Sequence, residues 1–184
     1  MSHFQLEHFR LPSGFRGASA LKVQMWWLVQ ETLFRWSPQW AYGFRNWLAK
    51  IFGARIGRGV LLRPSCKITY PWKVSIGEFS WIGDNVTLYS LGDIQIGKNT
   101  IVSQNSYICA ATHDYTKSTF DILDLPVKIG NSVWLASDVF IAPGITICDT
   151  TIISLRSTVT KDIRESGVYA GTPVKKIKDR PEIN

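Results

Sequence analysis

An aliphatic residue recurs every six positions through the middle of this chain, and that period constrains the fold more than any other feature. The dipeptide Ile-Gly opens a unit at residues 56, 76, 96 and 129, and Ile147 stands where a further unit begins. A small or β-branched residue follows most of these aliphatic residues by four positions, as Cys66, Ser80 and Thr100 do. The aliphatic positions are Ile56, Leu62, Ile68, Ile76, Ile82, Leu88, Ile96, Val102, Ile108, Ile129, Leu135, Ile141, Ile147, Ile153 and Val159.

A six-residue period is typical of a triangular coil. Each face is a short strand, and each corner is a tight turn that favours Gly, Asn or Asp. The aliphatic and the small residue both point inward, and a coil can bury its interior only against a neighbouring coil. The sequence therefore predicts an all-β fold, a parallel β-helix of about five coils over residues 54–163. Residues 1–53 form an N-terminal arm and helical hairpin, and residues 164–184 a short C-terminal tail.

One long interruption breaks the period. A turn-rich loop over residues 114–126 follows His113, the single histidine of the repeats; His3 and His8 belong to the irregular arm of residues 1–18. A regular scaffold that presents one histidine beside a loop is typical of an active site, since imidazole can accept a proton near neutral pH. The alternative is a polar turn residue with no chemical role.

The segment before the repeats predicts two helices. Ser19 can cap a helix over residues 20–36, and Ser37-Pro38 can begin a second helix that runs to Phe52 and ends at Gly53. Residues 20–52 hold five of the eight tryptophans. This hairpin either packs on the main domain and a neighbouring subunit or contacts an anionic membrane surface as a peripheral element, and the two roles are compatible.

Composition limits the remaining possibilities. The net charge of +7 suits an anionic ligand, a phosphorylated cofactor or a lipid headgroup surface. The basic residues are scattered and no nucleic-acid motif accompanies them, so we expect no nucleic-acid partner. Three cysteines without a C-x-x-C pair and without a preceding signal peptide favour reduced thiols in the cytoplasm. The longest apolar run, residues 25–29, is too short to span a bilayer.

Several motifs resemble those of a known family. The repeats and the tail A-G-T-P-V-K-K-I-K are similar to the hexapeptide-repeat acyltransferases. The segments V-Q-M-W-W-L-V-Q, F-G-A-R-I-G, I-T-Y-P-W-K and V-S-Q-N-S-Y-I-C resemble one branch of it, the colanic acid biosynthesis acetyltransferases. This resemblance implies a left-handed β-helix, a homotrimer with active sites at subunit interfaces, acetyl-CoA as donor and a sugar hydroxyl as acceptor.

The resemblance makes His113 the general base. Its imidazole could be oriented by Asp114, by Asp121 or Asp124, or by a main-chain carbonyl. We expect the acceptor between His113 and the loop, across a subunit boundary. The acceptor-binding candidates are Asn85, Tyr89, Ser90 and Tyr115.

For acetyl-CoA, the resemblance places Trp134, Ala136 and Ser137 at the thioester end. Leu155, Thr160 and Lys161 follow further along the donor, and Lys175 and Lys178 would meet the nucleotide phosphates. Where the common family run reads I-G-A-G-S, this chain reads I-S-L-R-S, so Leu155 replaces a small residue.

Three alternatives compete with this interpretation. A zinc carbonic anhydrase on the same fold needs three histidine ligands, and the repeats hold one, so we expect no metal. Transfer to the amine of an amino sugar uses similar groups, and a non-catalytic β-helix interaction protein is the third possibility. The sequence favours an acetyl-CoA-dependent O-acetyltransferase of exopolysaccharide (colanic acid-like) biosynthesis, with an acceptor that a lipid could carry at the inner face of the cytoplasmic membrane.

Overall fold

A computed structural model describes residues 3–182 and shows a parallel β-helix preceded by a short helical region. The first sheet contains β1 Arg55–Ile56, β4 Val74–Ile76, β7 Ile94–Ile96, β12 Val127–Ile129 and β15 Thr146–Ile147. The second sheet contains β2 Leu61–Leu62, β5 Trp81–Ile82, β8 Ile101–Val102, β13 Trp134–Leu135, β16 Ile152–Ile153, β18 Val168–Gly171 and β19 Val174–Lys178. The third sheet contains β3 Lys67–Ile68, β6 Thr87–Tyr89, β9 Tyr107–Cys109, β14 Phe140–Ile141 and β17 Thr158–Val159.

The register stacks each repeat on the next. Ile76 pairs with Ile96 and Ile96 with Ile129 in parallel strands, and equivalent pairs run through the other two sheets. The aliphatic residues that recur every six positions thus form continuous internal columns, with Leu62, Ile68 and Ile82 fully buried. The predicted parallel β-helix of hexapeptide repeats is confirmed.

Small polar residues of the second inward position also serve the core. The Ser80 hydroxyl donates to the Gly97 carbonyl oxygen at 2.7 Å, and the Thr100 hydroxyl donates to the Gly130 carbonyl oxygen at 2.7 Å. These hydroxyls are buried, and each satisfies a backbone group of the next coil. Small residues at this position therefore fill a narrow interior and hydrogen-bond the stack.

The corners use backbone conformations that few side chains adopt. Between the second and third sheets, Asn85, Asn105 and Asp138 have φ of +55°, +61° and +59°. Asn and Asp tolerate this left-handed region better than other residues except glycine. Between the first and second sheets the coils approach closely, since a Cβ on Gly97 would lie 2.5 Å from the Gly130 carbonyl carbon.

The β-helix is longer than the aliphatic pattern indicates. Ile163 bridges to Ile147, and β18 continues the second sheet beside β16, so the chain makes about six turns instead of about five. β19 then folds back antiparallel on β18. The pattern fades here because Tyr169, paired with Ile153, stands where an aliphatic is expected.

Two helices precede the coils, with bounds that differ from the prediction. Helix α1 covers Ala20–Val29 and is capped by the Ser19 hydroxyl, which accepts from the Lys22 amide at 3.3 Å. A π-helical turn, Gln30–Phe34, follows, and α2 covers Tyr42–Ile51, with Gly53 beyond it at φ +102°. The predicted start of the second helix at Ser37-Pro38 is wrong.

The reason lies in how Ser37 is used. Its hydroxyl donates to the Phe34 carbonyl at 2.6 Å and accepts from Arg45 at 2.8 Å. It is therefore not available as a helix cap, and Pro38 lies in a turn that ends before α2.

Side chains of this hairpin close the open end of the β-helix. The first coil has no preceding coil to bond its backbone, and an unpaired edge needs other partners. Trp26 donates to the Ile68 carbonyl at 2.7 Å, and Gln30 accepts from the Ile68 amide at 2.6 Å. The buried Arg45 donates to the Leu62 carbonyl at 2.6 Å. The hairpin thus caps the stack.

The opposite side of the hairpin is apolar and open to solvent. Trp36 and Trp40 are 82% and 79% exposed, and Leu28, Leu33 and Trp47 are also exposed. Within residues 3–182, no helix is both long and apolar enough to span a membrane.

Candidate active site

His113 ends a strand that leaves the β-helix at the corner between the third sheet and the next first sheet. β10 Ala111–His113 pairs antiparallel with β11 Ile122–Asp124, with His113 opposite Ile122. The expected loop over residues 114–126 therefore contains a strand and closes as a hairpin. Ala111 is buried in a small cluster with Val23, Tyr70 and Leu91, which fixes the base of this hairpin on α1 and the coils.

The imidazole of His113 is held by one residue in two ways. Its Nδ1 lies 2.8 Å from the Phe120 carbonyl oxygen, and the two rings stack with centroids 4.3 Å apart and planes 8° from parallel. Phe120 adopts φ +53°, which turns its carbonyl toward His113 at the hairpin tip. Because a carbonyl oxygen can only accept, Nδ1 carries the proton. Nε2 of a neutral imidazole then has a free lone pair.

Asp114 does not orient the imidazole. Its carboxylate accepts from the Thr116 amide at 3.0 Å and from the Thr116 hydroxyl at 2.5 Å, and these bonds lower the pKa of Asp114. Asp121 pairs with Lys117 at 3.0 Å, which lowers the pKa of Asp121. Of the alternatives left open by the sequence, the main-chain carbonyl is the one that contacts Nδ1.

The acceptor-binding candidates separate into different environments. Ser90 is fully buried, and its hydroxyl accepts from the Tyr70 amide at 2.8 Å and donates to the Tyr70 carbonyl at 3.0 Å. This hydroxyl has no route to a substrate, so the expected acceptor role of Ser90 is wrong. Asn85 lies at the corner between the second and third sheets and donates to the Asn105 side chain at 3.3 Å. Within one chain it does not meet His113.

Tyr89 and Tyr115 lie nearer the hairpin. The Tyr89 carbonyl accepts from the Ala110 amide at 3.1 Å, and burial raises the pKa of Tyr89. Its ring is 5.9 Å from the Tyr107 ring, and burial raises the pKa of Tyr107 to about 12. Tyr115 is 78% exposed at the hairpin tip and lines an open cavity of about 520 Å³ with Phe4 and Lys117.

Five of the eight donor candidates lie at two corners of the triangular prism. Ala136 and Ser137 turn the fourth coil between the second and third sheets, and Leu155 occupies the same corner one coil later, 65% exposed. Thr160 and Lys161 are exposed at the other corner, between the third and first sheets, which is also where His113 emerges.

Trp134, Lys175 and Lys178 belong to the second sheet. Trp134 points outward from β13, and its indole N–H donates to the Ser103 hydroxyl at 3.1 Å. Lys175 pairs with Ala170 and Lys178 with Val168 in the register of β19 against β18. Side chains of directly paired residues lie on one face, so both lysines share the outward face with Trp134. Lys176 points the other way and pairs with Glu165 and Asp179, which raise the pKa of Lys176.

One contact of the site was missed by the sequence analysis. Phe9, from the arm that has no periodic pattern, has its ring 6.2 Å from the His113 ring. No motif or spacing marks it, because the contact joins residues more than a hundred positions apart. Among residues 3–182, no group of three or more His, Cys, Asp or Glu is placed to hold a metal ion.

Comparison with known proteins identifies similar folds and related sequences. A scan against models of protein families finds no match. A galactoside acetyltransferase solved in complex with coenzyme A has a TM-score of 0.80 at 27% identity, covering 91% of this chain and 83% of that chain. A hexapeptide-repeat acetyltransferase from Vibrio cholerae O1 biovar eltor, complexed with acetyl coenzyme A, shares the fold with a TM-score of 0.81 at 22% identity, covering 90% and 92%.

Sequence identity to named proteins identifies the family. The galactoside O-acetyltransferase of Escherichia coli strain K12 is 30% identical over 138 residues, covering 73% of this chain and 68% of the relative. The chain therefore belongs to the hexapeptide-repeat acetyltransferases, as its motifs predicted. It is 49% identical over 177 residues to an Escherichia coli K12 protein provisionally named colanic acid biosynthesis acetyltransferase WcaF, covering 96% of this chain and 97% of the relative.

Proposed function

We propose that this protein is an acetyl-CoA-dependent O-acetyltransferase that acts on a sugar hydroxyl in exopolysaccharide biosynthesis, with His113 as general base. The observation that carries the proposal is the 2.8 Å contact between His113 Nδ1 and the Phe120 carbonyl oxygen. The Phe120 carbonyl requires a proton on Nδ1, and Nε2 is left to accept one. The relative named for colanic acid biosynthesis and the galactoside O-acetyltransferase support a sugar hydroxyl as the acceptor.

His113 moves one proton in each half of the reaction. As the hydroxyl oxygen attacks the acetyl carbonyl, Nε2 accepts the hydroxyl proton and the imidazole becomes a cation. The Phe120 carbonyl still accepts from Nδ1–H, so the ring keeps its orientation while it is charged. When the carbon–sulfur bond breaks, Nε2 returns the proton to the leaving sulfur, and the products are an acetyl ester and a free thiol.

In this proposal the second-sheet face and its corner with the third sheet bind acetyl-CoA, which supplies an activated acetyl thioester. Ala136 is small and Ser137 is half-buried at the corner, so a narrow pantetheine chain can lie against them. Trp134, on the same face, offers an apolar surface. Lys175 and Lys178 share that outward face and offer two cations to phosphates. The Leu155 side chain is exposed at the same corner.

We infer that the working enzyme is a homotrimer. In a single chain, Asn85, Ala136 and Leu155 lie on one corner, whereas His113 and Lys161 lie on another. A site that uses both groups needs the corner of one copy beside the other corner of its neighbour. Three copies around an axis supply three such contacts. Exposed aromatic residues on the two faces that meet at the first of these corners, Trp81 and Trp134 on the second sheet and Phe140 on the third, are suited to being covered there.

The acetyl ester itself tests the activity. The purified protein is incubated with acetyl-CoA and with oligosaccharides prepared from exopolysaccharide after mild base treatment, and the products are analysed by mass spectrometry. We expect one acetyl group that mild base removes again, because it is an ester. An acetyl group that resists mild base would assign transfer to an amine instead. Absence of any acetylated product, with acetyl-CoA unchanged, would favour a non-catalytic protein.

We further propose that the helical hairpin docks the enzyme on the cytoplasmic face of a membrane, where a lipid carries the acceptor. Arg45 donates to the carbonyls of Pro38 and Gln39, each at 2.8 Å, and so fixes the turn between Trp36 and Trp40. Tryptophan side chains on a fixed turn are suited to headgroup depth. The basic Arg35 and Lys50 of the same hairpin complement anionic lipid.

Vesicle sedimentation tests this docking. Vesicles with anionic lipid should retain the wild-type protein, and the double variant Trp36→Ala/Trp40→Ala should lose most of that retention. Ile177→Ala, which removes an exposed apolar side chain from β19 at the other end of the β-helix, is the matched control and should bind like wild type. Equal retention of all three proteins, or no retention of wild type, would contradict the membrane proposal.

A further inference from the structure

The N-terminal arm reaches the candidate base and is held at both of its ends. At one end, the Trp72 indole N–H donates to the Arg16 carbonyl at 2.6 Å, and Lys73 donates to the Phe15 carbonyl at 2.9 Å. At the other end, the Gln5 amide donates at 2.8 Å to the carbonyl of Ser118, which lies in the β-hairpin between β10 and β11. A segment without helix or strand periodicity is therefore tied across the outside of the β-helix.

Between these ties, Phe9 of the arm packs against His113. Among residues 3–14, Phe9 is the only residue that is partly buried, and its ring lies 6.2 Å from the His113 ring with a tilt of 58°. A short 3₁₀ turn, Leu6–His8, precedes it, and the Phe9 amide donates to the Leu6 carbonyl at 3.0 Å. The backbone on the amino-terminal side of Phe9 is thus fixed locally as well.

A second aromatic contact reaches His113 indirectly. The Phe4 ring is 4.8 Å from the Phe120 ring, and Phe120 in turn stacks on His113 and provides the carbonyl that fixes Nδ1–H. Phe120 holds a left-handed backbone conformation, which is unfavourable for a residue with a bulky side chain. Packing from Phe4 stabilises that conformation. The arm therefore touches both the imidazole and the residue that orients it.

We propose that Phe9 of the N-terminal arm is a positioning residue, which holds the His113 imidazole in the tautomer and orientation that proton transfer needs. This inference rests on the proposed role of His113. Phe120 contacts the ring through one face and through Nδ1, and Phe9 prevents the ring from swinging away from that carbonyl. Phe4 contributes to the same geometry through Phe120.

Kinetics with matched variants measure this role. Phe9→Ala should lower kcat for acetyl transfer about ten-fold, because small misplacements of a reacting group are costly. The KM for acetyl-CoA should stay within about two-fold of wild type, since the donor candidates lie on other coils. Phe9→Tyr retains the ring and should restore most of the rate. Leu6→Ala, which removes an exposed side chain of the same arm segment, is the control and should match wild type.

Nitrogen NMR of the histidine ring gives a readout that does not depend on turnover. Wild-type protein should show His113 as the Nδ1–H tautomer, and Phe9→Ala should show averaging of the two tautomers while its melting temperature matches that of Leu6→Ala. If Phe9→Ala keeps the wild-type tautomer and rate, the positioning role is refuted and the proposed acetyl transfer stands. If wild type shows the fixed tautomer but transfers no acetyl group, the proposed function fails and the positioning contact stands.

Discussion

Arg45 joins the helical hairpin to the first coil, and its replacement by methionine should destabilise the fold. The guanidinium is fully buried and donates four hydrogen bonds, to the Leu62 carbonyl at 2.6 Å and to Ser37 Oγ and the carbonyls of Pro38 and Gln39 at 2.8 Å each. In Arg45→Met all four are lost.

The loss of stability depends on whether water can replace Arg45 as the donor to each of these acceptors. Pro38 and Gln39 are exposed residues, so water can bond their carbonyls once the turn opens. Leu62 is fully buried, so its carbonyl stays without a partner at a cost of about 1–3 kcal/mol. The three remaining bonds add a smaller amount, because water replaces them. We expect a total loss of about 3 kcal/mol in the free energy of unfolding.

Urea denaturation followed by tryptophan fluorescence measures this loss. The midpoint should fall while the slope of the transition stays constant, since the same surface is exposed on unfolding. Arg58→Met removes an exposed arginine that pairs with Glu78 at 3.8 Å, and it should change the stability by less than about 0.5 kcal/mol. If Arg45→Met is no less stable than Arg58→Met, the guanidinium does not hold the hairpin, and the fixed presentation of the two exposed tryptophans loses its basis.

Three further predictions concern groups whose roles the structure separates. Ser90→Ala should cost about 1–2 kcal/mol of stability, because the Tyr70 amide loses its acceptor while the Tyr70 carbonyl keeps only its bond from the Lys73 amide, and should leave the acceptor KM unchanged; a raised KM with unchanged stability would return Ser90 to the acceptor site. The Arg63 guanidinium lowers the pKa of Asp84 from 3.8, so the ion pair stabilises the fold above about pH 4, and this stabilisation is lost as the pH falls through the lower native pKa. Asp84→Asn should therefore be less stable than wild type at neutral pH and equally stable in acid. A difference in stability that does not change with pH would contradict the ion pair. Burial raises the pKa of the Cys66 thiol to about 12, so a thiol reagent at pH 8 should label Cys66 only after unfolding, as peptide mapping would show, and rapid labelling in the native protein would contradict its position in the core.

The β-helix could be predicted from sequence because its period is a local property. Each coil repeats the same inward aliphatic and small residue, so the pattern in any twenty residues already specifies the stacking partner in the next coil. The prediction failed where that pattern ends. Tyr169 pairs with Ile153 in the last turn without being an aliphatic, and Ser37-Pro38, a good helix start in isolation, is used by the buried Arg45 instead.

The candidate site was predictable only in part, for a related reason. His113 stands out because it is the one histidine of the repeats and lies beside the one long loop that interrupts them. An imidazole can accept a proton near neutral pH, which suggests its role. Its orientation depends on the Phe120 carbonyl, and a main-chain carbonyl has no signature in the sequence. Ser90 was misassigned because burial is not visible in the order of residues, and Phe9 was missed because its contact with His113 exists only in the folded chain.

The central claim is that His113 transfers the proton of the attacking hydroxyl, and His113→Ala tests it most directly. Initial rates of ester formation from acetyl-CoA and the exopolysaccharide oligosaccharides are compared for wild type and variant, with melting temperatures to show that both are folded. We expect the rate to fall by about 10²–10⁴-fold with an unchanged KM for acetyl-CoA. A folded His113→Ala protein that forms the ester at a rate near that of wild type would contradict the mechanism.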